Sequence, residues 1–168
     1  PVEQSDAALA LFFHGGAWRR LSKDEFSYPA PAFLERGVAF GVAGFDLVPT
    51  VALSDQVDQA RRALATIHEN ATRRGIDPAR IFIVGNSSGA HLGGMLMGAD
   101  DEGRSTRAAG ALLVSGIYDL EPVRLSSRND YLNLTAEEVG RLSPADRVPD
   151  RGLPLIIGWG GGELDEFQ

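Results

Sequence analysis

An apolar run that leads directly into a G-x-S-x-G pentapeptide constrains the fold of this chain more than any other stretch. The run occupies residues 81–84 and the pentapeptide residues 85–89, and a helix-compatible segment follows. This pattern predicts a strand, a sharp turn and a helix, with Ser87 at a turn where only small neighbours fit. Ser87 is therefore the candidate nucleophile. The backbone N–H of Ser88, at the start of the helix, is predicted to donate to an oxyanion.

A second loop of this kind follows an earlier apolar run. Residues 8–13 read Ala-Leu-Ala-Leu-Phe-Phe, and they lead into His14-Gly15-Gly16-Ala17-Trp18. Such an order is typical of a strand followed by an HGG-type loop, whose N–H groups complete an oxyanion hole. Gly15 and Gly16 are the predicted donors. His14 is predicted to brace the turn through side-chain hydrogen bonds.

Composition excludes several classes of protein. The 168 residues carry a net charge of -7, which disfavours nucleic acid and anionic lipid and leaves a small neutral or polar molecule as the expected substrate. The absence of cysteine excludes disulfides, thiolate catalysis and cysteine-based metal sites. No apolar run approaches the roughly 20 residues that span a bilayer, and residues 7–13 lack the basic flank of a signal peptide. We therefore expect a cytoplasmic enzyme that uses no metal and no cofactor.

Strand patterns alternate with helix patterns along the chain. Further strands are predicted at residues 38–45, 109–116 and 153–159, and the first of these is small and apolar on both faces. Ser54 is the predicted N-cap of an amphipathic helix that ends near Gly75. Thr135 and Glu138 have the spacing of a capping box. The alternation predicts an α/β fold with a parallel, doubly wound sheet.

A serine nucleophile needs a histidine base and a carboxylate that orients the imidazole. The three histidines are His14, His68 and His91, and none follows the last predicted strand, where the order of a serine hydrolase places the base. His14 belongs to the HGG loop, whereas His68 and His91 are expected to be structural residues of their helices. The base is therefore missing from the sequence.

Carboxylates suited to the acid role follow the last two predicted strands. Glu163, Asp165 and Glu166 lie in a Gly-rich turn after residues 153–159, and Glu166 is expected to be solvated. Asp119, after the preceding strand, is the weaker alternative because Tyr118-Asp119-Leu120 suits a simple turn of the chain. Chain order thus leaves Glu163 and Asp165 as the main candidates.

Together these motifs resemble the arylformamidase (kynurenine formamidase) branch of the α/β-hydrolases. The stretches that carry the resemblance are HGGAW at 14–18, FDLVP at 45–49, GNSSGAHL at 85–92, SGIYDLEP at 115–122, LSP at 142–144 and GELDEF at 162–167. The resemblance implies an α/β-hydrolase fold and cleavage of the formyl amide of N-formyl-L-kynurenine. By position relative to Phe167, it favours Glu163 over Asp165 as the triad acid.

Members of this branch are longer at both ends. We therefore expect residues 1–168 to form a single α/β-hydrolase domain that lacks N-terminal strands and the C-terminal segment carrying the triad histidine. The expected partner is a small-molecule substrate, and a homodimer is left open.

Two other functions are compatible with the same residues. A small-molecule carboxylesterase uses the same serine and oxyanion loops, and a non-catalytic hydrolase-like fragment that binds ligands accounts for the missing histidine. A metal-dependent amidohydrolase is disfavoured because three isolated histidines form no recognisable ligand cluster.

Overall fold

Five parallel strands form one sheet in the computed structural model, which describes residues 7–98, 108–147 and 152–163. The strands are β1 (Ala7–Phe13), β2 (Val38–Val42), β3 (Ile76–Asn86), β4 (Gly110–Val114) and β5 (Leu155–Gly158). Their order across the sheet is β2-β1-β3-β4-β5, and every neighbouring pair is parallel. The predicted parallel α/β sheet is confirmed.

Helices occupy the connections between the strands. They are α1 (Ala30–Leu34), α2 (Leu53–Asn70), α3 (Ser88–Met97), α4 (Glu121–Arg124), α5 (Asn129–Leu132) and α6 (Ala136–Leu142). Short 3-10 turns lie at Lys23–Glu25, Thr72–Arg74 and Pro144–Arg147. The connection from β4 to β5 carries three of the helices. This connection is therefore long enough to reach the carboxyl edge of the sheet.

The core lies where α3 packs against the centre of the sheet. Every residue of α3 except Gly94 is buried. Gly93 permits the close approach, because a Cβ built there would lie 2.6 Å from Leu113 Cδ2 and 3.0 Å from Ile83 Cγ2. Phe13 at the end of β1 is also fully buried. The end of β1 and the first turn of α3, which flank the predicted catalytic loops, are therefore part of this core.

Of the two helix starts predicted from capping residues, the one at α6 is confirmed and the one at α2 is wrong. At α6, the Glu138 N–H donates to Thr135 Oγ1 over 3.2 Å and the Thr135 N–H donates to Glu138 Oε2 over 2.9 Å, as a capping box requires. At α2 the N-cap is Ala52 and Ser54 lies inside the helix. The Ala52 N–H donates to Asp55 Oδ2 over 2.9 Å, so Asp55, at the third position of the helix, satisfies the backbone of the N-cap residue.

Strand β2 is shorter and more exposed than its apolar sequence predicts. It ends at Val42, and all five of its residues are half-buried. Among the described residues β2 pairs with β1. No helix in the described ranges is long and apolar enough to cross a membrane.

Candidate active site

Ser87 occupies the sharp turn between β3 and α3. Its backbone lies at φ 53° and ψ -123°, which non-glycine residues rarely adopt. The Ser87 N–H donates to Val114 O at the end of β4 over 2.8 Å, and its carbonyl accepts from Ala90 and His91 N–H groups at 2.9 and 3.1 Å. The predicted strand, turn and helix are confirmed here. Both sides of the serine are tied to regular structure, and the start of α3 lies directly beside it.

Two glycines make this turn sterically feasible. A Cβ at Gly85 would lie 2.6 Å from Gly89 O, and a Cβ at Gly89 would lie 2.1 Å from Phe13 O and 2.5 Å from His14 O. Separations below 3.0 Å are too short for real Cβ contacts. Gly89 therefore lets the first turn of α3 press against the end of β1, which brings the HGG loop to the serine.

The loop that begins at His14 lies against the serine turn. A Cβ built on Gly15 would lie 3.2 Å from Ser87 Cβ and 3.1 Å from Asn86 O, so the Gly15 backbone is in direct contact with the turn. Gly16 has a φ of +127°, and Ala17 and Trp18 follow at 53° and 61°. This run of left-handed residues bends the chain sharply away from β1. The Gly15 backbone stays beside Ser87, and Gly16 lies against the backbone of Arg20.

His14 is almost completely buried beneath that loop. Its Nδ1–H donates to Gly15 O over 2.7 Å, and its ring stacks on Phe45 at a centroid distance of 4.4 Å and on Phe26 at 5.4 Å. Desolvation by burial lowers the pKa of His14 below its ordinary value. A neutral imidazole locked between two rings and hydrogen-bonded to the loop has the contacts that a brace requires.

His91, on α3, is fully buried and engaged at both ring nitrogens. The Trp18 indole N–H donates to His91 Nδ1 over 3.2 Å, and His91 Nε2–H donates to Leu142 O over 2.9 Å. Burial lowers the pKa of His91 to about 4. Neither nitrogen is therefore available to take a proton from Ser87. The third histidine, His68, is half-buried on α2.

Glu163 follows β5 and lies at the same edge of the sheet as Ser87. Its Oε1 accepts two hydrogen bonds, from Ser115 Oγ at 2.6 Å and from the Gly160 N–H at 3.0 Å. Ser115 is the residue after β4, has a left-handed φ of 53°, and donates its own N–H to Gly158 O over 2.8 Å. The carboxylate is thus held across the ends of β4 and β5.

The other candidates for the triad acid either form a local turn or lie outside the described residues. Asp119 Oδ1 accepts the Glu121 N–H over 2.8 Å, a turn that opens α4, and the residue is exposed. Asp165 and Glu166 lie outside the described residues. Of the predicted acid candidates that can be placed, Glu163 is the one held at the carboxyl edge beside the strands of the site.

Sequence reasoning missed two residues that connect these parts. The sequence predicts Ser115 only as part of the strand 109–116 and of the SGIYDLEP stretch, and Trp18 only as the end of the HGGAW motif. A polar residue directly after a strand that neighbours the nucleophile strand is a usable signal for Ser115, because parallel strands end at one edge. No local signal marks Trp18, since its partner His91 is 73 positions away.

The assembled edge carries a serine, loop N–H groups and a carboxylate in the order of a hydrolase site. The HGG loop follows β1, Ser87 follows β3, Ser115 follows β4 and Glu163 follows β5. Only β4 separates the serine strand from the acid strand. In the described ranges no group of three or more His, Asp or Glu side chains could hold a metal ion. These residues fit acyl transfer through a serine.

Comparison with known proteins gives a family match and several relatives. Residues 1–112 match the BD-FAE family model. The kynurenine formamidase of Salmo salar is 34% identical over 170 residues, covering 97% of this chain and 56% of the relative. The kynurenine formamidase of Danio rerio is 33% identical over 142 residues, covering 83% of this chain and 47% of the relative. The chain thus spans about half the length of the curated relatives it matches.

A solved structure shares the fold over most of the chain. The thermophilic esterase Est2 of Thermogutta terrifontis, with propionate bound, superimposes with a TM-score of 0.74 at 25% identity. The match covers 92% of this chain and 61% of the esterase. The predicted α/β-hydrolase architecture is confirmed by this likeness, and the relatives named here are hydrolases.

Proposed function

The chain belongs to the BD-FAE family, and from that premise we propose that the protein is a serine hydrolase that cleaves the formyl amide of N-formyl-L-kynurenine. One observation carries the proposal: the Gly15 backbone lies against Ser87, which itself sits at a left-handed turn at the start of α3. Such a turn exposes a nucleophile next to N–H groups that can receive the negative charge of a tetrahedral intermediate.

Each of these residues has a role in the proposed reaction. Ser87 Oγ attacks the formyl carbon and gives its proton to a base, while N–H groups of Ser88, Gly15 and Gly16 stabilise the oxyanion. The C–N bond then breaks, and the base returns the proton to the departing aryl amine. Water, activated by the same base, hydrolyses the formyl-serine ester and releases formate.

The base and the acid complete the proposed triad. Glu163 orients the base and stabilises its protonated form, a role that suits a carboxylate held by two donors at the carboxyl edge of the sheet. We infer that the base is a histidine outside residues 1–168, because His91 is committed at both nitrogens and His14 is stacked beneath its loop. His68 lies near the end of α2 that leads towards the start of β3, whereas Ser87 follows the end of that strand.

Relatives favour the formamidase over the alternatives. The two kynurenine formamidases match 97% and 83% of this chain, whereas the carboxylesterase NlhH of Mycobacterium tuberculosis matches 57% of it at 28% identity. The likeness to Est2 keeps a small-molecule carboxylesterase as the second candidate, since the serine and oxyanion chemistry are common to both. A cytoplasmic location and a small-molecule substrate belong to the same proposal.

Ser87→Ala in the whole protein tests the proposal. We expect turnover of N-formyl-L-kynurenine to fall on the order of a thousandfold or more, while the fold persists because one oxygen at a turn is removed. Ser127→Ala, at an exposed serine outside the site, is the matched control and should retain full activity. Normal turnover by folded Ser87→Ala protein would contradict the serine mechanism.

Substrate choice is tested separately. Turnover of the formylated aryl amine should exceed that of a short-chain aryl ester, compared by kcat/KM in the same preparation. An ester preference of orders of magnitude would replace the formamidase with a carboxylesterase. Ligand binding with no turnover of either substrate would instead support the non-catalytic alternative.

A further inference from the structure

The oxyanion loop has a conformation that its own residues disfavour. Gly16, Ala17 and Trp18 are all left-handed, and two of them carry a Cβ that clashes with the backbone in this region. Leu21, shortly after them, is left-handed as well, at φ 70°. Residues in such conformations persist only when surrounding structure holds them in place. The loop therefore needs anchors beyond its own backbone.

Trp18 supplies those anchors. It is 1% exposed, and its carbonyl accepts a hydrogen bond from Gln56 Nε2 at 2.7 Å and another from the Val48 N–H at 3.0 Å. Its indole N–H donates to His91 Nδ1 over 3.2 Å, with the two rings edge to face. The backbone of Trp18 is thus tied to α2 and its side chain to α3.

His91 is built to receive this N–H. Its Nε2–H is committed to Leu142 O at 2.9 Å, which leaves the Nδ1 lone pair facing Trp18. Full burial keeps the ring neutral, since its pKa is lowered to about 4. The acceptor is therefore present throughout the neutral pH range.

The same residue is also tied to the serine. The backbone N–H of His91 donates to Ser87 O over 3.1 Å, one helical turn away on α3. His91 thus contacts the nucleophile turn through its backbone and the oxyanion loop through its side chain. A displacement of either part is resisted by the other.

We propose that His91 is a positioning residue that acts through the Trp18 indole to hold the Gly15 and Gly16 N–H groups in register with Ser87. This inference rests on the proposed serine hydrolase mechanism. Oxyanion donors act on charge that develops in the transition state, so a displaced loop lowers kcat and leaves KM nearly unchanged.

Trp18→Phe in the whole protein is the primary test, because it removes the indole N–H and keeps an aromatic ring. We expect kcat to fall about tenfold, with KM within about twofold of the parent. Leu34→Ala is the control, at a side chain that is 60% exposed at the end of α1, on the side of the sheet where β2 begins and away from the carboxyl edge. It should leave kcat unchanged. A kcat of Trp18→Phe within twofold of the parent would overturn the proposal.

Variants at His91 separate positioning from packing. His91→Leu removes the acceptor, and the double variant Trp18→Phe/His91→Leu should lose no more kcat than His91→Leu alone. His91→Asn places an amide oxygen near the Nδ1 position and should recover at least half of the loss in log kcat. Fully additive losses, or no recovery with Asn in a folded protein, would contradict a linked pair.

A spectroscopic readout does not depend on turnover. The indole N–H resonance of Trp18, assigned by its loss in Trp18→Phe, should move upfield in His91→Leu protein as the ring acceptor is removed, and should stay nearer the parent position in His91→Asn protein, where the amide oxygen accepts. An unmoved resonance in His91→Leu protein would show that His91 does not hold the indole. If Ser87→Ala retained turnover while this resonance moved as expected, the proposed function would fail and the Trp18–His91 contact would stand.

Discussion

The serine side and the acid side of the candidate site are positioned by different forces. On the serine side, β1 and β3 lie inside the sheet and α3 is buried along nearly its whole length. On the acid side, Glu163 follows β5, and its Oε1 accepts hydrogen bonds from Ser115 Oγ at 2.6 Å and from the Gly160 N–H at 3.0 Å. The serine is held by packing of backbone against backbone, whereas the acid is held by hydrogen bonds to one carboxylate oxygen.

This difference predicts which substitutions each side tolerates. Close-packed backbone leaves no room for added atoms, so the serine side should fail when a small residue becomes larger. A carboxylate held by donors should instead respond to the removal of a single hydrogen bond or charge, with little change in fold. The four predictions below address this contrast.

Gly89→Val should have the largest effect. Even the first added carbon would lie 2.1 Å from Phe13 O, and this neighbour is backbone that cannot move aside without separating α3 from β1. We expect the free energy of unfolding to fall by about 3 kcal/mol or more, measured by urea denaturation of the whole protein. Gly140→Ala on α6 is the control, because nothing lies within 4 Å of the added carbon. Stability of Gly89→Val equal to that control would show that the serine side is not tightly packed.

Glu163→Gln should have the largest effect on the acid side. The change preserves shape but removes the charge that stabilises a protonated imidazole, so we expect kcat to fall at least a hundredfold, about 3 kcal/mol in transition-state stabilisation. The fold should be unaffected. Asp165→Asn is the matched comparison and should be much milder.

The reverse result would identify a different acid. A crippling Asp165→Asn together with a tolerated Glu163→Gln would assign the triad role to Asp165 and leave the nucleophile unchanged. If both were tolerated, Asp119 would be tested next, although its carboxylate accepts an N–H in its own turn.

The contrast also explains what could be predicted from the sequence. The serine turn is formed by residues 85–89 and the HGG loop by residues 14–18, so each is set by residues close together in the sequence. Gly85, Ser87 and Gly89 therefore indicate the structure of the turn directly. The strands were predicted because apolar runs are local too. The prediction of Ser54 as the N-cap was wrong because the N-cap is Ala52, two positions earlier, with its N–H accepted by the Asp55 carboxylate. Residue preference alone does not locate the start of a helix that closely.

Contacts between distant segments were beyond sequence reasoning. Ser115 and Glu163 are 48 positions apart, and Trp18 and His91 are 73 apart. Each pair forms only because the sheet brings strand ends together, and no spacing in one sequence shows which side chains will meet. The choice of Glu163 over Asp165 came from a family resemblance and stays a prediction.

Acid should destabilise the serine side through His91. The pKa of this ring is about 4 in the folded protein and 6.5 in its ordinary state. Between these values the unfolded chain binds a proton that the folded protein does not, so stability falls as pH decreases from about 6.5 to 4. The expected loss from this residue is about 3 kcal/mol.

Urea denaturation across that pH range measures the loss, with His91→Asn as the comparison. The variant cannot take up this proton, so its free energy of unfolding should depend less on pH than that of the parent. The burial of His14 also lowers its pKa, and this contribution is present in both proteins. Parallel pH profiles for the two proteins would contradict a buried, neutral His91.

Ser115→Ala should have the smallest effect, and it tests the acid side most finely. The substitution removes the hydroxyl that donates to Glu163 Oε1 at 2.6 Å but keeps the Cβ, so the left-handed backbone at φ 53° is no more strained than before. The Gly160 N–H remains as a second donor, which limits the loss. We expect kcat to fall about tenfold, or about 1.4 kcal/mol, with KM unchanged, because the acid would still be present but less firmly oriented.

Ser126→Ala, which also removes a hydroxyl hydrogen bond but outside the site, should leave kcat at the parent value. A Ser115→Ala protein with the kcat of the parent would show that the Gly160 N–H is sufficient to orient Glu163. A kcat as low as that of Glu163→Gln would show that the Ser115 hydroxyl is as essential as the Glu163 charge. The acid side would then tolerate substitution no better than the serine side.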